Sequence, residues 1–206
     1  MKRLMLAAVL LCSGTALAQV DPFTGGDAAV GAGKAAACGA CHGPGGASTN
    51  PEWPKLAGQH ASYSYAQLKV LKTGERKAPL MNPLAAPLSD QDMKDLAAYF
   101  AAQKPVAGVA SPDAVKVAQK LYRAGDPARQ LPACIACHGP QGAGNAGAGY
   151  PRVGGQHAKY AAATLRNYRA KTVAQGLPNA LVMADVAAKL NDAEIDALAS
   201  YLNGLQ

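Results

Sequence analysis

Four cysteines and two histidines stand in a pattern that can do chemistry. Cys38-Gly39-Ala40-Cys41-His42-Gly43-Pro44 returns as Cys134-Ile135-Ala136-Cys137-His138-Gly139-Pro140, 96 positions later. In each copy two thiols lie one helical turn apart and a histidine follows at once. Two thiols so spaced reach the two vinyl groups of one porphyrin, and the adjacent imidazole points at its iron. Cys-x-x-Cys-His is therefore a signature of covalent haem attachment. A lone Cys-x-x-Cys would equally suit a redox dithiol, a structural disulfide or half of a zinc site. Two copies, each completed by a histidine, argue against all three.

An iron held by one histidine needs a second axial ligand. Met81-Asn82-Pro83-Leu84-Ala85-Ala86-Pro87-Leu88-Ser89-Asp90 aligns with Met183-Ala184-Asp185-Val186-Ala187-Ala188-Lys189-Leu190-Asn191-Asp192, 102 positions later. Both stretches read as loops. A thioether is a soft, neutral ligand that favours ferrous iron and raises the reduction potential. A single methionine is more often core filling, and Met93, on the apolar face of the next helix, is expected to be that. Two aligned methionines, each following a haem signature, favour ligation by Met81 and Met183. His60 and His157 are the rivals, because they too are equivalent and would give bis-histidine haems of lower potential. Their alternative reading is structural: each imidazole, or the Gly-Gln before it, makes a hydrogen bond near a haem or a domain interface.

The elements that hold these residues come from a tandem duplication. Trp53-Pro54-Lys55-Leu56-Ala57-Gly58-Gln59-His60 matches Tyr150-Pro151-Arg152-Val153-Gly154-Gly155-Gln156-His157 at an offset of 97. The growing offset marks loop insertions in the second copy. The pattern is helical throughout. Ser111-Pro112-Asp113 reads as an N-cap with proline at the first helical position, opening a helix to about Arg123, with a counterpart over about 27–37. Ser89-Asp90-Gln91-Asp92 and Asn191-Asp192-Ala193-Glu194 read as capping boxes that open closing helices. Met93, Leu96, Ala97 and Phe100 share one face of the first; Ile195, Leu198, Ala199 and Leu202 share it in the second. A middle helix follows each Gly-Gln-His. Such domains have small cores, and a large apolar cofactor in each would supply buried surface.

The N-terminus reads as a leader: Lys2 and Arg3, an uncharged apolar run from Leu4 to Leu11, then Ala16-Leu17-Ala18 as a cleavage site. The run is too short to span a bilayer, which needs roughly 20 residues. Cleavage after Ala18 leaves 188 residues, enough for two domains of about 94 each. The expected layout is 1–18 leader, 19–103 first domain, 104–110 a Pro/Gly/Ala linker and 111–206 second domain. The formal charge of +7 falls to +5 without Lys2 and Arg3. No Lys/Arg block appears, so nucleic acid is not an expected partner. A mildly basic surface suits an acidic redox partner or peripheral contact with an anionic membrane.

The two histidine–methionine modules, the paired Gly-Gln-His segments and the ending Leu-Ser-Asp-Gln-Asp-Met-Lys-Asp-Leu-Ala-Ala-Tyr-Phe resemble the cytochrome c4 family, the dihaem members of the class I cytochromes c. The resemblance covers nearly the whole chain after the leader. It implies an all-α fold of two tandem class I domains related by pseudo-twofold symmetry, with haem propionates meeting near the interface. It implies two covalent haem c groups: Cys38, Cys41, His42 and Met81 serving one, Cys134, Cys137, His138 and Met183 the other. The glycine-rich Gly31-Ala32-Gly33 is a mild departure that weakens the first helix. The implied role is electron transfer without substrate turnover, in the periplasm, from a donor such as a quinol-cytochrome c reductase towards an acceptor such as a terminal oxidase. The competing readings are a dihaem peroxidase or sulfur-compound oxidoreductase, which would want an exchangeable iron ligand, and a haem subunit clamped to a catalytic partner. Lys55 and Arg152 are expected as solvated charges or as neutralisers of a propionate.

Overall fold

A computed structural model describes residues 23–206; the expected leader at 1–18 lies outside them. The first half contains α1 (Ala28–Lys34), α2 (Ala36–His42), α3 (Ala61–Lys72), α4 (Asn82–Ala85) and α5 (Asp90–Ala101). The second contains α6 (Pro112–Ala124), α7 (Ile135–His138), α8 (Ala158–Arg169), α9 (Ala180–Ala187) and α10 (Asp192–Gly204). No β-strand occurs among the described residues. The halves repeat one arrangement. α5 packs on α1 and α3, as α10 packs on α6 and α8.

The closing helices start where their caps dictate. Ser89 accepts from the Asp92 amide while the Asp92 carboxylate accepts from the Ser89 amide; Asn191 and Glu194 do the same for α10. Each box satisfies amides that have no partner within the helix. Met93, Leu96, Ala97 and Phe100 are buried on α5, and Ile195, Leu198, Ala199 and Leu202 on α10. These faces form the centres of the two half-molecule cores.

The helix expected over 27–37 is broken. Asp27 caps α1 through hydrogen bonds from the Ala29 and Val30 amides, and Ala35 then ends α1 and opens α2. The glycines in α1 serve close packing. A Cβ on Gly31 would stand 2.1 Å from the Asp95 carbonyl oxygen, so only glycine lets α1 lie directly on α5. The same crossing is bound by charge. The buried Asp95 carboxylate accepts from the Asp27 amide (3.0 Å), from Gln91 Nε2 (2.8 Å) and from Lys34 Nζ (2.8 Å). These donors, Lys34 foremost, hold the Asp95 carboxyl down at about 2. In the second half Ala197 stands at the aligned position, and Tyr122 is the buried anchor instead, donating from its hydroxyl to the Gly139 carbonyl (2.6 Å).

The halves meet through reciprocal bonds. Gln59 takes the Arg152 amide on Oε1 (2.9 Å) and donates from Nε2 to the Arg152 carbonyl (2.9 Å). Gln156 does the same to Lys55, at 2.9 and 3.0 Å. Lys55 Nζ donates to the Gly155 carbonyl (2.8 Å), and Arg152 Nε to the Gly58 carbonyl (3.1 Å). Each pair maps onto the other at the offset of 97, which is the signature of a pseudo-twofold axis. Buried Val70 on α3 also packs against Ala174, Leu177 and Ala180 of the second half.

Candidate functional site

Cys38, Cys41 and His42 stand on α2; Cys134 caps α7, which carries Cys137 and His138. Both helices stop immediately after the histidine, at Gly43 (φ 75°) and Gly139 (φ 74°). That left-handed backbone suits glycine and closes the last turn. All four thiols are unpaired and half-buried. Cys38 packs on the first core, and Cys134 on the second. Burial pushes the Cys38 thiol up and the Cys134 thiol up to about 11.

The two histidines are oriented alike. His42 Nδ1 lies 2.8 Å from the Pro54 carbonyl oxygen, and His138 Nδ1 3.0 Å from that of Pro151. A carbonyl only accepts, so Nδ1 carries the proton in each ring and Nε2 keeps its lone pair. Burial lowers both imidazole pKa values, which favours the neutral ring a metal needs. The prolines before Lys55 and Arg152 thus act as outer partners that fix ring and tautomer. In the sequence Pro54 and Pro151 stand out only as matching positions. Their repetition just before the interface segment was the available signal. The Tyr150 ring stands against the His138 ring, with centroids 6.3 Å apart.

Met81 and Met183 are half-buried. Met183 packs on the second core together with Cys134 and Ile135. Both were expected in loops, and neither fits that description fully. Met81 caps α4, while Met183 lies within α9. Pro83 has no amide proton and is tolerated only in a first turn, so it pins the start of α4 just after Met81. The aligned position in the second copy is Asp185, and Ala-Leu-Val-Met-Ala continues as helix. Asn82 organises the approach to Met81: Nδ2 donates to the Leu71 and Arg76 carbonyls (2.7 and 2.9 Å), and Oδ1 accepts from the Ala78 amide (2.8 Å). Met93 is buried in the core, 3% exposed.

His60 and His157 open α3 and α8. His157 Nε2 lies 2.8 Å from the Ser48 carbonyl oxygen of the other half, so it is a donor across the interface. Gln59, Gln156 and His157 therefore belong to domain docking. Lys55 and Arg152, expected as solvated charges or propionate partners, are half-buried and donate to backbone carbonyls at that interface.

Two pairs of unpaired thiols on helical turns, each followed by a neutral imidazole with an available Nε2, fit a covalently attached haem. All-α tandem domains carrying that donor set twice define a dihaem c-type electron-transfer class. The family model described as Cytochrome c matches residues 31–104 and again 115–206. The chain is 44% identical over 205 residues to cytochrome c4 of Pseudomonas aeruginosa, covering 100% of both chains. It is 39% identical over 173 residues to the thiosulfate dehydrogenase electron acceptor of Stutzerimonas stutzeri (strain A1501), covering 81% of this chain and 78% of the relative. Its fold matches the crystal structure of reduced recombinant cytochrome c4 from Pseudomonas stutzeri with a TM-score of 0.84 at 45% identity, covering 88% of this chain and 100% of that one. The chain belongs to the cytochrome c family, in its cytochrome c4 branch, with two domains of the type that binds covalent haem c.

Proposed function

We propose that this dihaem carrier works in the periplasm, taking electrons from a quinol-cytochrome c reductase and passing them towards a terminal oxidase. Cys38, Cys41, His42 and Met81 hold the first haem in this reading, and Cys134, Cys137, His138 and Met183 the second. The observation that carries it is the doubled site: the same thiol pair, the same histidine locked by a proline carbonyl and an aligned methionine in both halves.

Each bound haem supplies a one-electron ferric/ferrous couple. The chain's own residues set its terms. Pro54 and Pro151 hold the imidazoles in one tautomer and orientation. Met81 and Met183 would each offer the iron a soft thioether, which would favour the reduced state. A haem iron held by a histidine and a methionine of the chain would leave no open site for a substrate, which would suit a carrier and not a peroxidase. The Gln59/Gln156 pairs tie the two halves together.

Export is supported by the leader-like residues 1–18 and by the haem signatures. Among the described residues no helix is long and apolar enough to cross a membrane. A second reading of the donor is favoured by the similarity to a thiosulfate dehydrogenase electron acceptor. Stopped-flow reduction of the oxidised holoprotein separates the two. Rapid reduction by a quinol-cytochrome c reductase supports the respiratory reading. Rapid reduction only by thiosulfate dehydrogenase with its substrate replaces it with the sulfur-oxidation reading.

A further inference from the structure

We infer that Lys72 and Arg169 are positioning residues for the two axial methionines: each ties off the base of the segment that carries one of them. The inference rests on the methionine assignment above. Lys72 is the last residue of α3, and Arg169 the last residue of α8. Lys72 Nζ donates to the Leu88 carbonyl (2.8 Å) and to the Ala86 carbonyl (2.6 Å). Arg169 Nη1 donates to the Leu190 carbonyl (3.1 Å), and Nη2 to the Asp192 carboxylate (2.6 Å). Leu88 and Leu190 stand just before Ser89 and Asn191, the caps of the closing helices. Each cation therefore joins the end of a middle helix to the start of a closing helix. Met81 lies in the stretch between in the first half, and Met183 in the second.

The repeat separates this contact from an incidental one. Lys72 and Arg169 correspond at the offset of 97, but Leu88 and Leu190 at 102. The residues inserted in the second copy thus fall inside the clamped stretch, and the clamp spans them. The two stretches differ in other ways. Asn82 braces the first through the Leu71 and Arg76 carbonyls, whereas Ala184 stands at its equivalent and α9 carries the second. The bond from helix end to leucine carbonyl is common to both. A cation also suits the last turn of a helix, where carbonyls lack partners within the helix.

The clamp acts through the methionine. Leu190 is buried in the core on which Met183 packs, and Leu88 packs on the first core. A segment pinned at its base has fewer ways to carry its sulfur away from an iron. An outside ligand can bind that iron only when the sulfur has left. Its apparent affinity therefore scales with the population of the open state. Cutting the clamp raises that population and tightens the binding of an outside ligand in the same half.

The test is a titration of ferric holoprotein with imidazole, in the wild type and in Lys72→Gln, Lys72→Arg, Arg169→Gln, Arg169→Lys and Arg166→Gln. The methionine methyl signals of the paramagnetic NMR spectrum, assigned with Met81→Ala and Met183→Ala, report which methionine imidazole displaces. Lys72→Gln is expected to tighten imidazole binding in the first half by about tenfold, and Arg169→Gln in the second, each leaving the other half in place. Lys72→Arg and Arg169→Lys exchange the cations of the two halves and should stay near the wild-type affinity. Arg166→Gln removes only the neighbouring contacts to the Asp192 and Asp196 carboxylates and should change neither half. Unchanged affinity in the clamped half of either Gln variant overturns the inference. So does equal tightening in both halves, tightening in Lys72→Arg or Arg169→Lys as large as with Gln, or Arg166→Gln matching Arg169→Gln. If Arg169→Gln yields no holoprotein, Lys72→Gln decides, because Lys72 is exposed. Wild-type protein without methionine methyl signals would defeat the ligand assignment itself, a different failure from an unmoved affinity.

Discussion

A carbonyl oxygen never donates, so the contacts from His42 to Pro54 and from His138 to Pro151 decide the chemistry of both imidazoles. With Nδ1–H committed, Nε2 is the nitrogen left to bind an iron, and the bond behind it would raise its basicity. His157 has the opposite assignment, since its Nε2 donates to Ser48. A histidine with that nitrogen committed across an interface is not free to replace a methionine through it. Met81→Ala and Met183→Ala are therefore each expected to remove one methionine-to-iron charge-transfer signal from the oxidised spectrum. His157→Ala should leave both signals and loosen the interface. Loss of a signal in His157→Ala with retention in Met183→Ala would restore the bis-histidine alternative. The two Cys-x-x-Cys-His motifs were legible because their chemistry requires fixed spacing. The proline carbonyls were not, because any residue has a carbonyl and only the fold decides which one faces a ring.

At the scale of elements, α1 is held to α5 by a buried carboxylate. Asp95 is depressed to about 2 in the fold, against an ordinary value near 4. A carboxyl whose pKa is lowered by folding stabilises the fold above its unfolded pKa, and the contribution is lost as pH falls through the folded value. Stability should therefore drop between about pH 4 and about pH 2. Asp95→Asn should flatten that part of the profile while lowering the melting temperature at neutral pH. Thermal melts of holoprotein across that window check both. The starts of the closing helices were legible to the residue, because Ser89/Asp92 and Asn191/Glu194 are local signals that need no tertiary partner. The break at Ala35 was not legible, since Gly31 is explained only by the Asp95 carbonyl it approaches. The helical setting of Met183 was missed because the alignment with Pro83 suggested a loop where the second copy has none.

The whole molecule is a duplication whose copies grip each other by the same residues. Gln59 and Gln156 each satisfy both backbone groups of one residue in the opposite half, at separations of 93 and 101 positions. Such long-range pairing was visible in the sequence as repetition, without its partner. A net hydrogen bond contributes about 1 kcal/mol, and a buried group left unpaired costs about 1–3 kcal/mol. The double variant Gln59→Ala/Gln156→Ala should thus uncouple the halves. Calorimetry should show one unfolding transition resolving into two, while haem content stays unchanged. A single undiminished transition would mean that the apolar contact of Val70 with Ala174, Leu177 and Ala180 holds the halves without the glutamines. The central claim is that one chain carries two methionine-ligated, covalently bound haems that pass electrons singly. A spectroelectrochemical titration of the purified protein, paired with haem counting after denaturation, tests it most directly. Two covalent haems, two one-electron steps at high potential and methionine charge-transfer signals in the oxidised form are the predicted result. One haem, a single step, or the low potentials of bis-histidine ligation would contradict it.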